Sequence, residues 1–154
     1  LDFAMPEKFD LEYIGPDGEA HRPVMVHRVI FGAVERFLGI LIEHFAGAFP
    51  VWFAPVQAVV IPVTDDVAPY ATEVRDRFFD AGLRVETDLS DETMRYKIRQ
   101  AQTQRIPYML VVGRREAENG AVAVRHRRHG DLGAMPLDAF LERIRSEIVA
   151  KTRD

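Results

Sequence analysis

Apolar runs alternate with amphipathic segments through the last two thirds of the chain. Residues 57–63 and 108–112 are continuous apolar runs, as expected of strands buried on both faces, and residues 83–87 predict a further strand between them. Between them, residues 66–81 and 91–104 carry apolar side chains at helical spacing. The order strand–helix–strand–helix–strand predicts an α/β fold with parallel pairing.

The pattern changes after residue 112. Glu118-Asn119-Gly120 predicts a turn, and Ala121–Arg127 alternates apolar and polar residues as a strand with one wet face does. Pro136 then predicts the start of a last helix, because its missing N–H costs nothing there. The hairpin near Asn119 adds antiparallel strands, so we expect a mixed, mostly parallel sheet flanked by helices.

The first 50 residues have a different organisation. Phe9–Ile14 and Arg22–Arg28 predict two strands around the turn Gly15-Pro16-Asp17-Gly18. Apolar residues from Phe31 to Phe45 then recur at helical spacing, before Gly47 and Pro50 end the helix. Two prolines within residues 47–55 predict a domain boundary, which divides the chain into 1–50 and 51–154.

The formal net charge of −4 conceals a basic segment. Residues 95–128 hold nine Lys or Arg against two Glu, a charge of +7, and the remainder of the chain carries −11. Such a segment suits a polyanionic partner, since Lys and Arg neutralise phosphates and release counterions. A well-solvated helix and hairpin surface would carry the same charges, and the count alone leaves both interpretations open.

Other features limit the class of protein. No apolar run approaches the ~20 residues that span a bilayer, and no signal peptide is visible, so we expect no membrane partner. The chain has no cysteine, which is compatible with a cytoplasmic location. It begins with Leu1 rather than Met, so we expect a fragment of a longer protein.

A resemblance to a known family covers essentially the whole chain. Gly32-Ala33-Val34-Glu35-Arg36-Phe37 resembles motif 3 of class II aminoacyl-tRNA synthetases. The wider series is similar to threonyl-tRNA synthetases, in the segments 23–28, 36–44, 46–52, 96–99, 106–113 and 123–125. The resemblance implies that residues 1–50 are the end of a catalytic domain and that residues 51–154 are a class II anticodon-binding domain.

For the catalytic part, the resemblance implies that Arg36 contacts ATP and that His27 is one of three zinc ligands. From the residues alone, Glu35-Arg36 also suits a helix-face ion pair, and a single histidine is usually structural. In the family, the zinc binds the amino group and hydroxyl of threonine, which separates threonine from valine. The other ligands, a Cys and a His, lie upstream of motif 3, and motifs 1 and 2 are missing. We therefore expect this chain to be inactive alone, and its parent to be a homodimer that uses zinc, ATP and magnesium.

For the anticodon domain, the resemblance implies that Asp91, Arg99, Glu116 and Arg125 bind the anticodon loop of a threonine tRNA. Carboxylate and guanidinium groups suit the Watson–Crick edges of splayed loop bases. Asp91 stands where many relatives carry Asn, and an acid there accepts only from base donors. A cross-strand ion pair between Glu116 and Arg125 is the alternative.

Three functions follow from these observations. The first is the tRNA-reading part of a threonine–tRNA ligase. The second is a free-standing, non-catalytic tRNA- or RNA-binding module. The third is a nucleotide-binding α/β domain, which requires a glycine-rich loop after the first buried strand, whereas Pro62-Val63-Thr64-Asp65-Asp66 is not one. Synthetases for proline, histidine and glycine share the anticodon fold, and His27 is what separates threonine from them.

Overall fold

The structure is a computed structural model, and it describes residues 1–153. These residues form two compact units, Leu1–Ile40 and the part from Leu41 onward. The predicted boundary between residues 1–50 and 51–154 stays a prediction. Within residues 1–153, no helix is both long enough and apolar enough to cross a membrane.

The first unit contains little regular structure. Its elements are α1 (Ala4–Lys8), β1 (Tyr13–Ile14), β2 (Ala20–His21) and the start of α2 (Val34–Phe45). The strand predicted over 9–14 is confirmed only at Tyr13–Ile14, which pairs with Ala20–His21 across the predicted turn. The strand predicted over 22–28 is wrong. A strand needs a hydrogen-bonded neighbour, and within the described residues the second segment finds one only where Met25 bridges Asp2.

The second unit contains a five-stranded sheet and most of the helices. Its strands are β3 (Ala58–Pro62), β4 (Val85–Thr87), β5 (Tyr108–Val112), β6 (Ala121–His126) and β7 (Gly130–Pro136). Its helices, besides the end of α2, are α3 (Ala68–Asp80), α4 (Met94–Thr103), α5 (Arg114–Asn119) and α6 (Leu137–Ala150), with a 3-10 turn at Asp65–Val67.

The strand order is β4-β3-β5-β6-β7. β3 pairs with β4 and β5 in parallel, while β6 is antiparallel to both β5 and β7. The predicted α/β fold with a mixed sheet is therefore confirmed. The predicted helix starting after Pro136 is confirmed too, since Pro136 is the N-cap of α6.

The two faces of the sheet are covered differently. One face packs on α3 and α6, with Phe78, Phe140 and Ile144 in a core that includes Val122 and Val124. The other face is covered by α4 in a smaller cluster, formed by Val59, Ile61, Ala101, Ile106 and Met109. Because β6 alternates, its residues Ala121, Ala123 and Arg125 lie on the α4 face.

The structure between β5 and β6 differs from the predicted turn and hairpin. The turn expected near Asn119 is instead the end of the short helix α5, whose C-cap Gly120 has a left-handed φ of 59°. The hairpin in this region joins β6 to β7 through residues 127–129, and β7 was not predicted. The sequence does not predict β7 because it contains glycines at 130 and 133, and glycine is a weak strand former.

Candidate nucleic-acid interface

Parallel pairing brings two of the predicted site residues to one edge of the sheet. β3, β4 and β5 run in the same direction, so their carboxyl ends meet at a common edge. The loop after β4 carries Asp91, and α5, directly after β5, carries Glu116. Asp91 and Glu116 therefore belong to the same edge, on either side of β3.

Glu116 has a structural contact of its own. It lies in the first turn of α5 and is half-buried, and its Oε2 accepts a hydrogen bond of 2.9 Å from the Gly113 N–H. A carboxylate at this position satisfies a free N–H and opposes the positive end of the helix dipole. Within residues 1–153, Oε1 makes no hydrogen bond, and no ion pair joins Glu116 to Arg125.

Arg125 lies on the sheet face covered by α4. It is opposite Met109 of β5 and Asp131 of β7, beside a register shift between Val124 and Arg125. The Asp131 carboxylate is occupied locally, since its Oδ1 accepts from the Gly133 N–H at 2.9 Å. In the described part of the chain, the half-buried Arg125 side chain forms no hydrogen bond or ion pair, so its guanidinium is available to a ligand.

Helix α4 presents its arginines to solvent. The helix starts at the N-cap Thr93, whose Oγ1 accepts from the Tyr96 N–H at 3.3 Å. Arg95 and Arg99 are exposed and lie one turn apart, and neither side chain has an ion-pair or hydrogen-bond partner among residues 1–153. Arg95 was not among the predicted site residues, although its spacing from Arg99 places both on one helix surface.

The basic segment is thus divided by the fold. Lys97 is buried on α4 with 5% exposure, and its Nζ donates to the Asp88 carbonyl at 3.2 Å. Arg114 is bound to Asp66, with 2.6 Å between Nε and Oδ2. Lys97 and Arg114 thus contact groups of the protein itself. Arg95, Arg99 and Arg125, on the α4 side of the domain, are available to bind an anion.

The edge itself is acidic. The Thr64 hydroxyl and the Arg114 guanidinium lower the pKa of Asp66, so this carboxylate is ionised at neutral pH. Asp88 Oδ1 accepts from the backbone N–H and the hydroxyl of Ser90 at 3.1 and 2.6 Å. Carboxylates at this edge repel phosphates but accept hydrogen bonds from base amino groups. Contacts to bases are therefore favoured at the edge, and contacts to phosphates are disfavoured there.

The two predicted catalytic residues lie in the first unit. His27 is exposed, and its Nε2 lies 2.8 Å from Asp2 Oδ2. The backbone N–H of Met5 and the His27 side chain lower the pKa of Asp2. No group of three or more His, Cys, Asp or Glu side chains that could hold a metal occurs in residues 1–153. The role of His27 as one zinc ligand stays a prediction. Arg36 is exposed near the start of α2 and forms no ion pair with Glu35 within the described chain.

Comparison with known proteins gives concordant results. Residues 57–147 match the family described as an anticodon binding domain. The chain is 59% identical over 152 residues to the threonine–tRNA ligase of Desulforamulus reducens, covering 99% of this chain and 24% of that protein. It is 58% identical over 151 residues to the ligase of Caldanaerobacter subterraneus subsp. tengcongensis, covering 98% and 23%. The chain thus spans about a quarter of these relatives.

A solved structure supports the same assignment. The chain is similar to the RNA binding domain of threonyl-tRNA synthetase from Cryptosporidium parvum Iowa II, with a TM-score of 0.73 and 34% identity. The similarity covers 95% of this chain and 37% of that one.

Proposed function

Because this chain belongs to the family of anticodon-binding domains, we propose that it is the tRNA-reading, carboxyl-terminal part of a threonine–tRNA ligase. In this proposal the longer protein activates threonine with ATP and attaches it to threonine tRNA. The second unit binds the anticodon loop of that tRNA. The high identity to threonine–tRNA ligases over nearly the whole chain supports this function.

One structural observation carries the proposal. Arg99 and Arg125 lie on the α4 side of the sheet without internal partners among residues 1–153, and Asp91 and Glu116 follow the carboxyl ends of β4 and β5. A guanidinium binds phosphate or the acceptor atoms of a base, and a carboxylate accepts only from base donors. The arrangement therefore suits an RNA strand whose backbone contacts Arg99 while its bases contact Arg125 and the carboxylates.

Base selection follows from the same chemistry. A carboxylate accepts from the amino groups of guanine, adenine or cytosine and from the imino groups of guanine or uracil, but it rejects a base that presents only acceptors. We assign base contacts to Asp91, Glu116 and Arg125, and a loop contact to Arg99. In Glu116, Oε2 stays on Gly113 and Oε1 is the atom that meets the base.

The proposal is tested by measuring the affinity of this chain for anticodon stem-loops at several salt concentrations. We expect tighter binding to the threonine anticodon than to the same stem with changed anticodon bases. Arg125→Gln should reduce this discrimination, and Arg99→Gln should lower the salt dependence by about 0.7 in log–log slope for one lost single-strand phosphate contact. Arg145→Gln, on α6 at the opposite face, serves as the control. Equal affinity for threonine and unrelated anticodons at moderate salt would refute the proposal.

The catalytic roles of His27 and Arg36 belong to the longer protein in this proposal. His27 supplies one zinc donor, and the remaining donors come from outside the described residues. When bound, zinc would contact the amino group and hydroxyl of threonine. Arg36 contacts ATP, which acts with magnesium. We further propose that the longer protein is a cytoplasmic homodimer. Zinc content and the KM for ATP, measured on its His27→Ala and Arg36→Gln variants, test these assignments.

A further inference from the structure

A groove of about 640 Å³ lies between the edge strand β4 and helix α4. It is on the sheet face that α4 covers, because residues of the smaller apolar cluster line it. We call it the Tyr96 groove. Its polar walls are formed from the β4 side by three acidic residues and from α4 by three others, which are Glu86, Asp88 and Glu92, and Tyr96, Lys97 and Gln100. These six residues are distinct from the predicted site residues.

Lys97 sets the hydrogen-bonding character of the groove. The residue is 5% exposed, and its Nζ donates to the Asp88 carbonyl at 3.2 Å. An ammonium group has three N–H donors, and the other two have no acceptor among residues 1–153. Burial of a charge without its full set of hydrogen bonds is costly. A ligand that brings an acceptor atom to Lys97 is therefore stabilised in the groove.

The other charges of the groove disfavour an anionic ligand. Among the lining residues that the structure describes, the carboxylates of Glu86, Asp88 and Glu92 outnumber the single ammonium of Lys97, so a phosphate is repelled. The ligand that suits the groove is neutral, with a carbonyl oxygen for the ammonium and N–H donors for the carboxylates. A nucleobase such as guanine or uracil presents both kinds of group on one edge.

Tyr96 supplies an aromatic surface on which such a base can stack. Its backbone N–H donates to Thr93 Oγ1 at 3.3 Å, and its hydroxyl oxygen accepts from Gln100 Nε2 at 2.7 Å. The side chain is thus held at both ends, while 45% of the residue stays exposed. A base that stacks on a ring held in this way costs little side-chain freedom.

The groove adjoins the surface that carries the predicted RNA contacts. Tyr96 and Gln100 lie one turn apart and form a row on α4, and Arg95 and Arg99 form the adjacent row. The residues on either side of Asp91 in the chain also line the groove. An RNA strand that contacts Arg99 and Asp91 therefore passes beside the opening of the groove.

We propose that the Tyr96 groove binds one unpaired base of the anticodon loop, in addition to the bases assigned to Asp91, Glu116 and Arg125. The base stacks on Tyr96, and its carbonyl oxygen accepts a hydrogen bond from Lys97. This inference rests on the proposed function, and it adds a base site that none of the predicted residues forms.

The first test uses this chain and threonine anticodon stem-loops in which each unpaired loop base is removed in turn, leaving an abasic residue. In the wild type, removal of the bound base should weaken binding by about five- to fiftyfold, as expected for one stacked base. In Tyr96→Leu, which keeps apolar bulk without the ring, removal of the same base should cost at least about fivefold less. Phe79→Leu replaces an exposed aromatic residue of α3 and is the matched control, which should behave as the wild type does.

A second comparison isolates the contact from Lys97. At the loop position that the first test identifies, guanine is compared with 2-aminopurine, which has the same rings without the carbonyl oxygen. The wild type should bind the guanine stem-loop about three- to tenfold more tightly, and Lys97→Met should bind the two about equally. The urea midpoint of Lys97→Met should be unchanged or raised, because an apolar side chain replaces a buried charge.

Different failures have different meanings. If no abasic position distinguishes Tyr96→Leu from Phe79→Leu while Arg125→Gln still reduces anticodon discrimination, the groove is not a base site and the proposed function stands. If the wild type binds threonine and unrelated anticodons equally, yet one abasic position is coupled to Tyr96, the anticodon proposal fails and the base site stands. The same preference for guanine in the wild type and in a folded Lys97→Met variant also overturns the inference. If Lys97→Met does not fold, the comparison of Tyr96→Leu with Phe79→Leu decides.

Discussion

Gln57 is a fully buried polar residue whose replacement tests how the second unit is held together. Its side chain is 1% exposed and bridges two backbone groups. Nε2 donates to the Val51 carbonyl at 2.9 Å, and Oε1 accepts from the Arg84 N–H at 2.9 Å. Gln57→Leu keeps the approximate volume and removes both partners.

The magnitude follows from the burial of each group. Val51 is fully buried, so its carbonyl loses its partner without access to water, at a cost of about 1–3 kcal/mol. It cannot turn outward freely, because the Arg84 side chain donates to the nearby carbonyls of Ala54 and Trp52 at 2.9 and 3.1 Å. The Arg84 N–H is only partly buried, so the loss of its hydrogen bond reduces the free energy of unfolding by less. The added apolar surface of leucine offsets about 1 kcal/mol, so we expect a net loss of about 2 kcal/mol.

Urea unfolding followed by circular dichroism measures this loss, with an unchanged m-value. The melting temperature should fall by about 4–8 °C for a chain of this size. Gln104→Leu is the matched control, since its side chain is exposed at the end of α4, and it should change stability by less than about 0.5 kcal/mol. A Gln57→Leu variant as stable as that control would refute the bridging role.

Three further predictions concern other residues. Burial and the Glu147 carboxylate raise the pKa of Tyr108 to about 12. An unfolded tyrosine ionises near pH 10, so this contribution to stability is present below about pH 10 and lost as the pH rises toward 12. Urea midpoints between pH 9 and 11 should fall less steeply in Tyr108→Phe, and parallel profiles would contradict this. Phe78→Ala, in the α3 core, should cost about 3–5 kcal/mol in the same unfolding assay; a cost below 1 kcal/mol would mean that the core is misassigned. Glu116→Gln should retain the hydrogen bond to Gly113 and hence stability, yet change which anticodon base is preferred in the stem-loop binding assay; an unchanged preference would remove Glu116 from base reading.

Periodicity in the sequence was sufficient to predict the main elements of the second unit. The continuous apolar run that became β3 is buried at all five positions, as a strand covered on both faces requires. Gly47, with its left-handed φ, follows the end of α2, and Pro136 precedes α6. These signals are local, because a helix end or an apolar run is recognised from residues a few positions apart in the sequence.

The same local signals were insufficient where hydrogen-bonded partners decide the outcome. Residues 22–28 alternate like a strand, but within the described chain they find a pairing partner only at Met25. Residues 114–119 form a helix in which the Glu116 carboxylate satisfies the Gly113 N–H, a contact that a count of turn formers does not reveal.

The candidate site required both levels of information. The sequence by itself determined that nine cations lie within residues 95–128, and its resemblance singled out Asp91, Arg99, Glu116 and Arg125. Only the tertiary structure decided that Lys97 is buried, that Arg125 faces the side of α4, and that Asp91 and Glu116 share an edge. Charge is a property of each residue, whereas its availability to a ligand depends on the strand order and on which neighbours occupy its hydrogen bonds.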